Sequence, residues 1–154
     1  MTEYAEVFEV GPRDGLQNEK TVIATANKVI MVDKLSACGF QRIEVASFVS
    51  PKWVPQMADS ADVLDRIQRR KGTRYAALTP NMRGFDGAVA AKADEIAIFA
   101  SASEGFSQAN INCSIAESVE RFKVVIAAAK EASIPVRGYI SCVTDCPYAG
   151  PTAP

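Results

Sequence analysis

Apolar and polar positions follow two alternating periods along the chain, and the switches between them mark a repeating strand and helix unit. Ala5 to Val10 is a short β-branched and aromatic run that stops at Gly11-Pro12, where turn geometry and a missing amide donor end a strand. Past the polar stretch Arg13 to Lys20, Val29, Val32 and Leu35 recur at helical spacing, and Gly39 follows as a left-handed cap. Arg42 to Ala46 reads as a second strand, followed by a long loop from Ser47 to Met57 holding Pro51, Trp53 and Pro55. Asp59 or Ser60 is placed to cap a second helix with Val63, Leu64 and Ile67 on one face, Arg69-Arg70 in its last turn and Gly72 at its end.

Tyr75 to Leu78 predicts a third strand stopped by Thr79-Pro80, and Asn81 a cap for a helix over Met82 to Ala91 that Gly84 and Gly87 weaken. Glu95 to Phe99 is a fourth strand. Ser114 and Glu117 form a capping-box pattern opening a helix with Ile115, Val119, Phe122, Ile126 and Ala129 along one face. Val136 to Ser141 gives a fifth strand, with no helix to follow. Five strands with four intervening helices predict parallel βα units of an α/β protein. A doubly wound sheet would carry a Gly-rich phosphate turn after its first strand, and neither GxGxxG nor GxxxxGK[ST] occurs. A TIM (β/α)8 barrel fits better, and since it takes about 250 residues, residues 1–154 are expected to be the N-terminal part of a single barrel domain.

Composition narrows the partners. The 154 residues are 48% hydrophobic with a formal charge of -1 and no block of like charges, so the basic footprint of a nucleic-acid binder is missing. The opening Met1 to Glu6 carries acid and no apolar run, which predicts a cytoplasmic protein without a leader. No stretch approaches the roughly 20 consecutive apolar residues of a membrane span. Cys38, Cys113, Cys142 and Cys146 form no CxxC pair, and there is no histidine to complete a zinc set, so the thiols read as reduced packing residues.

In a (β/α)8 barrel the chemistry collects at the C-terminal ends of the strands. Strand one delivers Arg13-Asp14-Gly15-Leu16-Gln17-Asn18-Glu19-Lys20, strand two carries Glu44 and releases Ser47, strand three ends at Thr79 and Asn81, strand four at Ser101 and Ser103, and strand five at Ser141-Cys142. Two readings of Arg13-Asp14 stand side by side. One is a strand-end salt bridge of little energetic worth. The other is functional: Asp is a hard oxygen ligand for a divalent cation, and Arg a planar fork of donors able to stabilise a developing oxyanion. Glu44 sits in an otherwise apolar strand, where a carboxylate is costly unless paired, and Arg13 is the expected partner. Lys20 is a candidate phosphate contact or a solvated loop residue, Trp53 shields a site or packs its loop, and Cys142 lacks an identifiable base.

The run Glu9-Val10-Gly11-Pro12-Arg13-Asp14-Gly15-Leu16-Gln17-Asn18-Glu19 resembles the signature of hydroxymethylglutaryl-CoA lyases, within the wider family of metal-dependent Claisen-type barrel enzymes. Ser47 to Met57, Leu78-Thr79-Pro80-Asn81, Asn110 to Ile115, and Arg137-Gly138-Tyr139 through Cys146-Pro147-Tyr148 resemble lyase segments in the same order. The Arg-Asp-Gly element alone also admits isopropylmalate or homocitrate synthases; the Ser47 to Met57 loop is more specific to the lyase.

The resemblance implies cleavage of 3-hydroxy-3-methylglutaryl-CoA to acetyl-CoA and acetoacetate, the closing step of leucine degradation, with Mg2+ or Mn2+. By similarity Asp14 is a metal ligand, Arg13 binds the thioester oxygen and stabilises the enolate, and Glu44 positions Arg13. Lys20 is implied at the CoA phosphates, while Gln17, Ser47, Asn81 and Cys142 are implied as pocket lining. A homo-oligomer is left open. The family completes its metal site with a histidine-x-histidine pair and an asparagine on later strands, and carries a catalytic cysteine in a late loop. None of these is here, so the 154 residues alone are expected to be inactive. A non-catalytic partial barrel seeking partners for open strand edges, or a condensing synthase of the same superfamily, are the alternatives.

Overall fold

Strands and helices alternate because short β-branched runs are each followed by an amphipathic segment whose apolar face needs a sheet to cover it. The computed structural model describes residue 3 and residues 5–153. Met1, Thr2 and Tyr4, part of the opening on which the absence of a leader was read, lie outside the described residues. Five strands, β1 (Phe8–Glu9), β2 (Arg42–Ser47), β3 (Arg74–Leu78), β4 (Glu95–Ser101) and β5 (Val136–Ser141), make one all-parallel sheet in the order β1-β2-β3-β4-β5. Sequential parallel neighbours with helical crossovers are the winding of a (β/α)8 barrel, and this is the first half of one.

Among the described residues the helices are α1 (Thr25–Ala37), α2 (Ser60–Arg66), α3 (Met82–Ala90), α4 (Glu104–Ile111) and α5 (Ile115–Glu131). The core packs between the sheet and these helices around Val32, Ile43, Leu64, Ile96, Val125 and Ala129. A bulge between Glu44 and Ala46 breaks the register of β2 against β3.

Several elements differ from expectation. The first strand is only Phe8–Glu9, because the Val10 carbonyl turns to accept the amides of Arg13 at 3.1 Å and Asp14 at 2.7 Å instead of continuing the ladder. Helix α2 stops at Arg66 rather than near Gly72. Ile67 is extended there, Arg69 reaches across to Asp94 at 3.1 Å, and the Arg70 amide donates to the Tyr75 hydroxyl at 2.9 Å. Asp59 does not cap α2; its carboxylate is held by Lys28 at 2.6 Å and Thr25 at 2.7 Å. Helix α4 was not anticipated: its eight residues, EGFSQANI, bury only Ser107, so no apolar stripe announces it. It is defined by its ends, the Ser103 hydroxyl accepting from the Phe106 amide and Asn112 closing it at φ 50°. After β5 the chain forms a small antiparallel pair, β6 (Asp145–Cys146) with β7 (Gly150–Pro151).

On α5 the buried face is Ser118, Phe122, Val125 and Ala129, so Val119 and Ile126, expected on it, are exposed. Other expectations hold. Gly39 takes φ 86° just past α1, Asn81 caps α3 by accepting from the Gly84 amide at 3.0 Å, and Ser114 with Glu117 forms the reciprocal capping box of α5.

Candidate active site

The segment Gly11–Gly15 leaves β1 as one wide helical turn, with Pro12 where an amide donor is not needed. That turn carries Arg13 back over the sheet, where it is 9% exposed. Its Nε donates to Glu44 Oε1, and its Nη1 donates to Asp14 Oδ1 at 2.8 Å. Glu44 is fully buried, and its second oxygen accepts the Tyr139 hydroxyl of β5 at 2.7 Å. A buried carboxylate is tolerated when both oxygens are satisfied and a cation is paired with it, and Glu44 meets both conditions. Burial, the hydrogen bond to Glu44 and the charge of Glu44 together push the Tyr139 hydroxyl above the usual phenol range.

These residues stand at a cleft of about 920 Å³ walled by Arg13, Asp14, Gln17, Asn81, Tyr139 and Ser141. Arg13, Asp14, Gln17 and Asn81 therefore meet at one mouth, from the turn after β1 and the end of β3. Glu44 stands behind Arg13. Three other residues singled out in the sequence fall elsewhere. Ser47 is 1% exposed and not part of the cleft wall; its backbone amide and carbonyl are both bonded to the Ser60 hydroxyl, and its own Oγ has no hydrogen-bond partner. Cys142 also lies off the wall, at φ 59°, with burial first and the Cys146 thiol next raising its thiol pKa. Lys20 is exposed and borders a second, smaller groove of about 420 Å³ beside Trp53.

Tyr139 was not among the residues singled out, and Ser141 was named only as the end of a strand. The signal was present, because Arg137, Tyr139 and Ser141 occupy alternate positions of β5 and so share the face that meets Glu44. On the same sheet Glu95, 2% exposed, lies 3.4 Å from Arg42 and 3.5 Å from Arg137, whose guanidinium sits 4.2 Å over the Phe8 ring.

Among the described residues no group of three or more His, Cys, Asp or Glu side chains is arranged to hold a metal ion. The Asp14 side chain, 55% exposed at the mouth, is a suitable single oxygen donor. A hard divalent cation wants about six donors, so the described residues by themselves do not make a complete cation site.

The HMGL-like family model matches residues 5–151. A 3-hydroxy-3-isohexenylglutaryl-CoA/hydroxymethylglutaryl-CoA lyase of Pseudomonas aeruginosa is 60% identical over 148 residues, covering 96% of this chain and 49% of that protein. A cytoplasmic 3-hydroxy-3-methylglutaryl-CoA lyase of Mus musculus is 55% identical over the whole chain and 45% of its own length. The crystal structure of hydroxymethylglutaryl-CoA lyase from Pseudomonas aeruginosa superposes with a TM-score of 0.93 at 58% identity, over 96% of this chain and 49% of that one. The chain thus spans about half the length of these relatives. With the match running through the Arg13 turn, the Ser47 to Met57 loop and all five parallel strands, the chain belongs to the HMGL-like family.

Proposed function

We propose that these residues are the N-terminal part of a single barrel domain, a carbon-carbon lyase cleaving 3-hydroxy-3-methylglutaryl-CoA to acetyl-CoA and acetoacetate in leucine degradation. The observation that carries this reading is the buried Arg13 guanidinium, fixed by Glu44 and standing beside Asp14 at the mouth of the cleft. In a retro-Claisen scission the tertiary hydroxyl loses its proton and its oxygen collapses to the ketone of acetoacetate. The electrons of the broken carbon-carbon bond then pass to the thioester as an enolate, which takes up a proton to give acetyl-CoA. Arg13 would donate to the thioester oxygen, where charge appears only as the bond breaks, so its stabilisation is greatest in the transition state. Glu44 and Tyr139 keep the guanidinium from swinging away, so no reorganisation is required at the moment of reaction.

Gln17 and Asn81, both on the cleft wall, are assigned substrate contacts, and Lys20 the phosphates of the carrier. Ser47 and Cys142 are weaker candidates because neither reaches that wall. Asp14 is assigned as one ligand of a divalent cation, Mg2+ or Mn2+, which when bound would polarise the substrate hydroxyl and carboxylate. The remaining ligands lie outside these residues. No helix among the described residues is long and apolar enough to cross a membrane. Relatives carry names for both the cytoplasm and the mitochondrion, and a cytoplasmic location is proposed here in line with the relative from Mus musculus.

Acetoacetate release in the presence of Mg2+ tests the reading. A protein extended to the length of the relatives should release it, Arg13→Met in that protein should not, and the 154 residues alone should be inactive. Turnover by the 154 residues alone would show that they need no further ligands.

A further inference from the structure

Cys142 follows β5 directly and Cys146 lies in β6, and both are free thiols. The backbone brings them together. Cys142 takes φ 59°, a left-handed conformation that residues with a side chain seldom adopt. The turn it starts is pinned from the far strand of the hairpin: the Thr152 hydroxyl donates to the Cys142 carbonyl at 2.7 Å, and the Thr152 amide to the Thr144 carbonyl at 3.1 Å. Within that turn the two thiols interact directly, and each shifts the ionisation of the other.

The two sulfurs have different surroundings. Cys146 is 2% exposed, yet donors face its sulfur: the Ser103 hydroxyl at 2.9 Å and the Tyr148 amide at 3.4 Å. Because the Ser103 hydroxyl also accepts the Phe106 amide, its own proton is left for the sulfur. Burial alone would raise the Cys146 thiol, but the Ser103 hydroxyl and the amides of Tyr148 and Ala149 hold it below the ordinary thiol value. A thiol that only fills space has no use for such donors, whereas a thiolate is stabilised by each of them. Cys142 is the partly exposed member of the pair and the one a solute can reach.

We infer that Cys142 and Cys146 form a thiol-disulfide exchange site, in which Cys142 takes up a low-molecular-weight disulfide and Cys146 resolves it. The Cys142 sulfur, on losing its proton, attacks one sulfur of glutathione disulfide, and a glutathione thiolate leaves and is protonated. The Cys146 thiolate then attacks the Cys142 sulfur, the Cys142-Cys146 bond forms, and the second glutathione leaves as a thiolate and is protonated. Two protein thiols are oxidised while one disulfide is reduced to two thiols. The hairpin already packs on α4, with the Phe106 and Tyr148 rings 6.2 Å apart. The new bond would tie that unit to the end of β5, next to Ser141 on the cleft wall.

No Lys or Arg lies between Arg137 and Cys146, so trypsin leaves both cysteines on one peptide that starts at Gly138. After the native protein is treated with glutathione disulfide and quenched with N-ethylmaleimide, mass spectrometry should find this peptide lighter by two hydrogens and free of maleimide. The exposed Cys38 should carry glutathione in the same sample, and the buried Cys113 should remain a thiol. Dithiothreitol should restore both thiols of the pair. In Cys146→Ser, glutathione should stay on Cys142; in Cys142→Ser, the Cys146 sulfur should stay unmodified. Ser103→Ala should slow the release of glutathione from Cys142 by about five-fold, since it removes a donor to the attacking thiolate. Glutathione on Cys38 with both thiols of the Gly138 peptide still free, or with a glutathione on each, would overturn the inference. An unchanged release rate in Ser103→Ala would overturn the role given to Cys146 as the stabilised resolving thiolate.

Discussion

Glu44 and Tyr139 are 95 positions apart in the chain, yet the Tyr139 hydroxyl donates to Glu44 Oε2 at 2.7 Å. This bond ties β2 to β5 across the face of the curled sheet and leaves Glu44 Oε1 for Arg13. The guanidinium at the mouth is thus set by two strands that are not neighbours in the sheet.

Removing that carboxylate should be expensive. Glu44→Ala strands Arg13, 9% exposed, without its buried counter-charge, and the unfolding free energy should fall by about 3–5 kcal/mol. Urea unfolding measures it. The double change Glu44→Ala with Arg13→Met should lose less than the two single changes summed, since one interaction is counted twice.

Tyr139 gives an alkaline signature. Its folded pKa is raised above the ordinary 10.0 by burial first and by Glu44 second. The protonated phenol is therefore favoured by folding; this stability is fully present below pH 10 and is lost as pH rises through the folded value. In an ultraviolet titration Tyr139 should ionise later than an ordinary tyrosine, and Tyr139→Phe should delete that late step. The same variant removes a donor from a buried carboxylate and should cost about 1–3 kcal/mol at neutral pH.

Glu117 gives the acid counterpart. The Ser114 amide first, and the Ser114 hydroxyl second, hold its carboxyl below the ordinary 4.5. The depressed value means that the capping contribution is present above pH 4.5 and disappears as pH falls through the folded pKa. Amide exchange in the first turn of α5 should accelerate over that acid window. Glu117→Gln should flatten the dependence.

Gly84 and Gly87 invert a propensity argument. By helix preference alone, replacing either with Ala should stabilise α3 by about 1 kcal/mol. A Cβ on Gly84 would fall 2.9 Å from the Phe48 carbonyl oxygen and 2.8 Å from Pro80 Cδ, and one on Gly87 would fall 2.8 Å from Phe48 Cδ1. Gly84→Ala should therefore destabilise by about 1–3 kcal/mol, as overpacking does. Thermal unfolding decides the sign.

The parts of the fold legible in the sequence are those whose signal is local. Ser114 and Glu117 specify a helix start by their own hydrogen bonds, and Val29, Val32 and Leu35 announce α1 by spacing. Helix α4 escaped because it is held by its caps and buries only Ser107. The end of α2 escaped because Arg69 and Arg70 are drawn off by Asp94 and Tyr75, partners that local sequence cannot name. The pairing of Arg13 with Glu44 followed from the cost of an unpaired carboxylate in an apolar strand, whereas Tyr139 required knowing which strands face each other. Ser47 was singled out for its place at a strand end, and the Ser60 hydroxyl that engages its backbone lies 13 positions further on.

The bulge in β2 acts as a frameshift in the strand. Glu44 still lies opposite Ala76 when the count slips, so that Ala46, not Val45, meets Ala77, and the rungs beyond are read one residue out of step. The extra residue is absorbed where it occurs, so losing one residue between Glu44 and Ser47 would straighten the ladder there and leave Ser47 opposite Leu78. Substitutions in this short stretch change volumes, but a change in its length changes the bend and twist of β2 beside Glu44, so β2 should accept altered letters far more readily than an altered count.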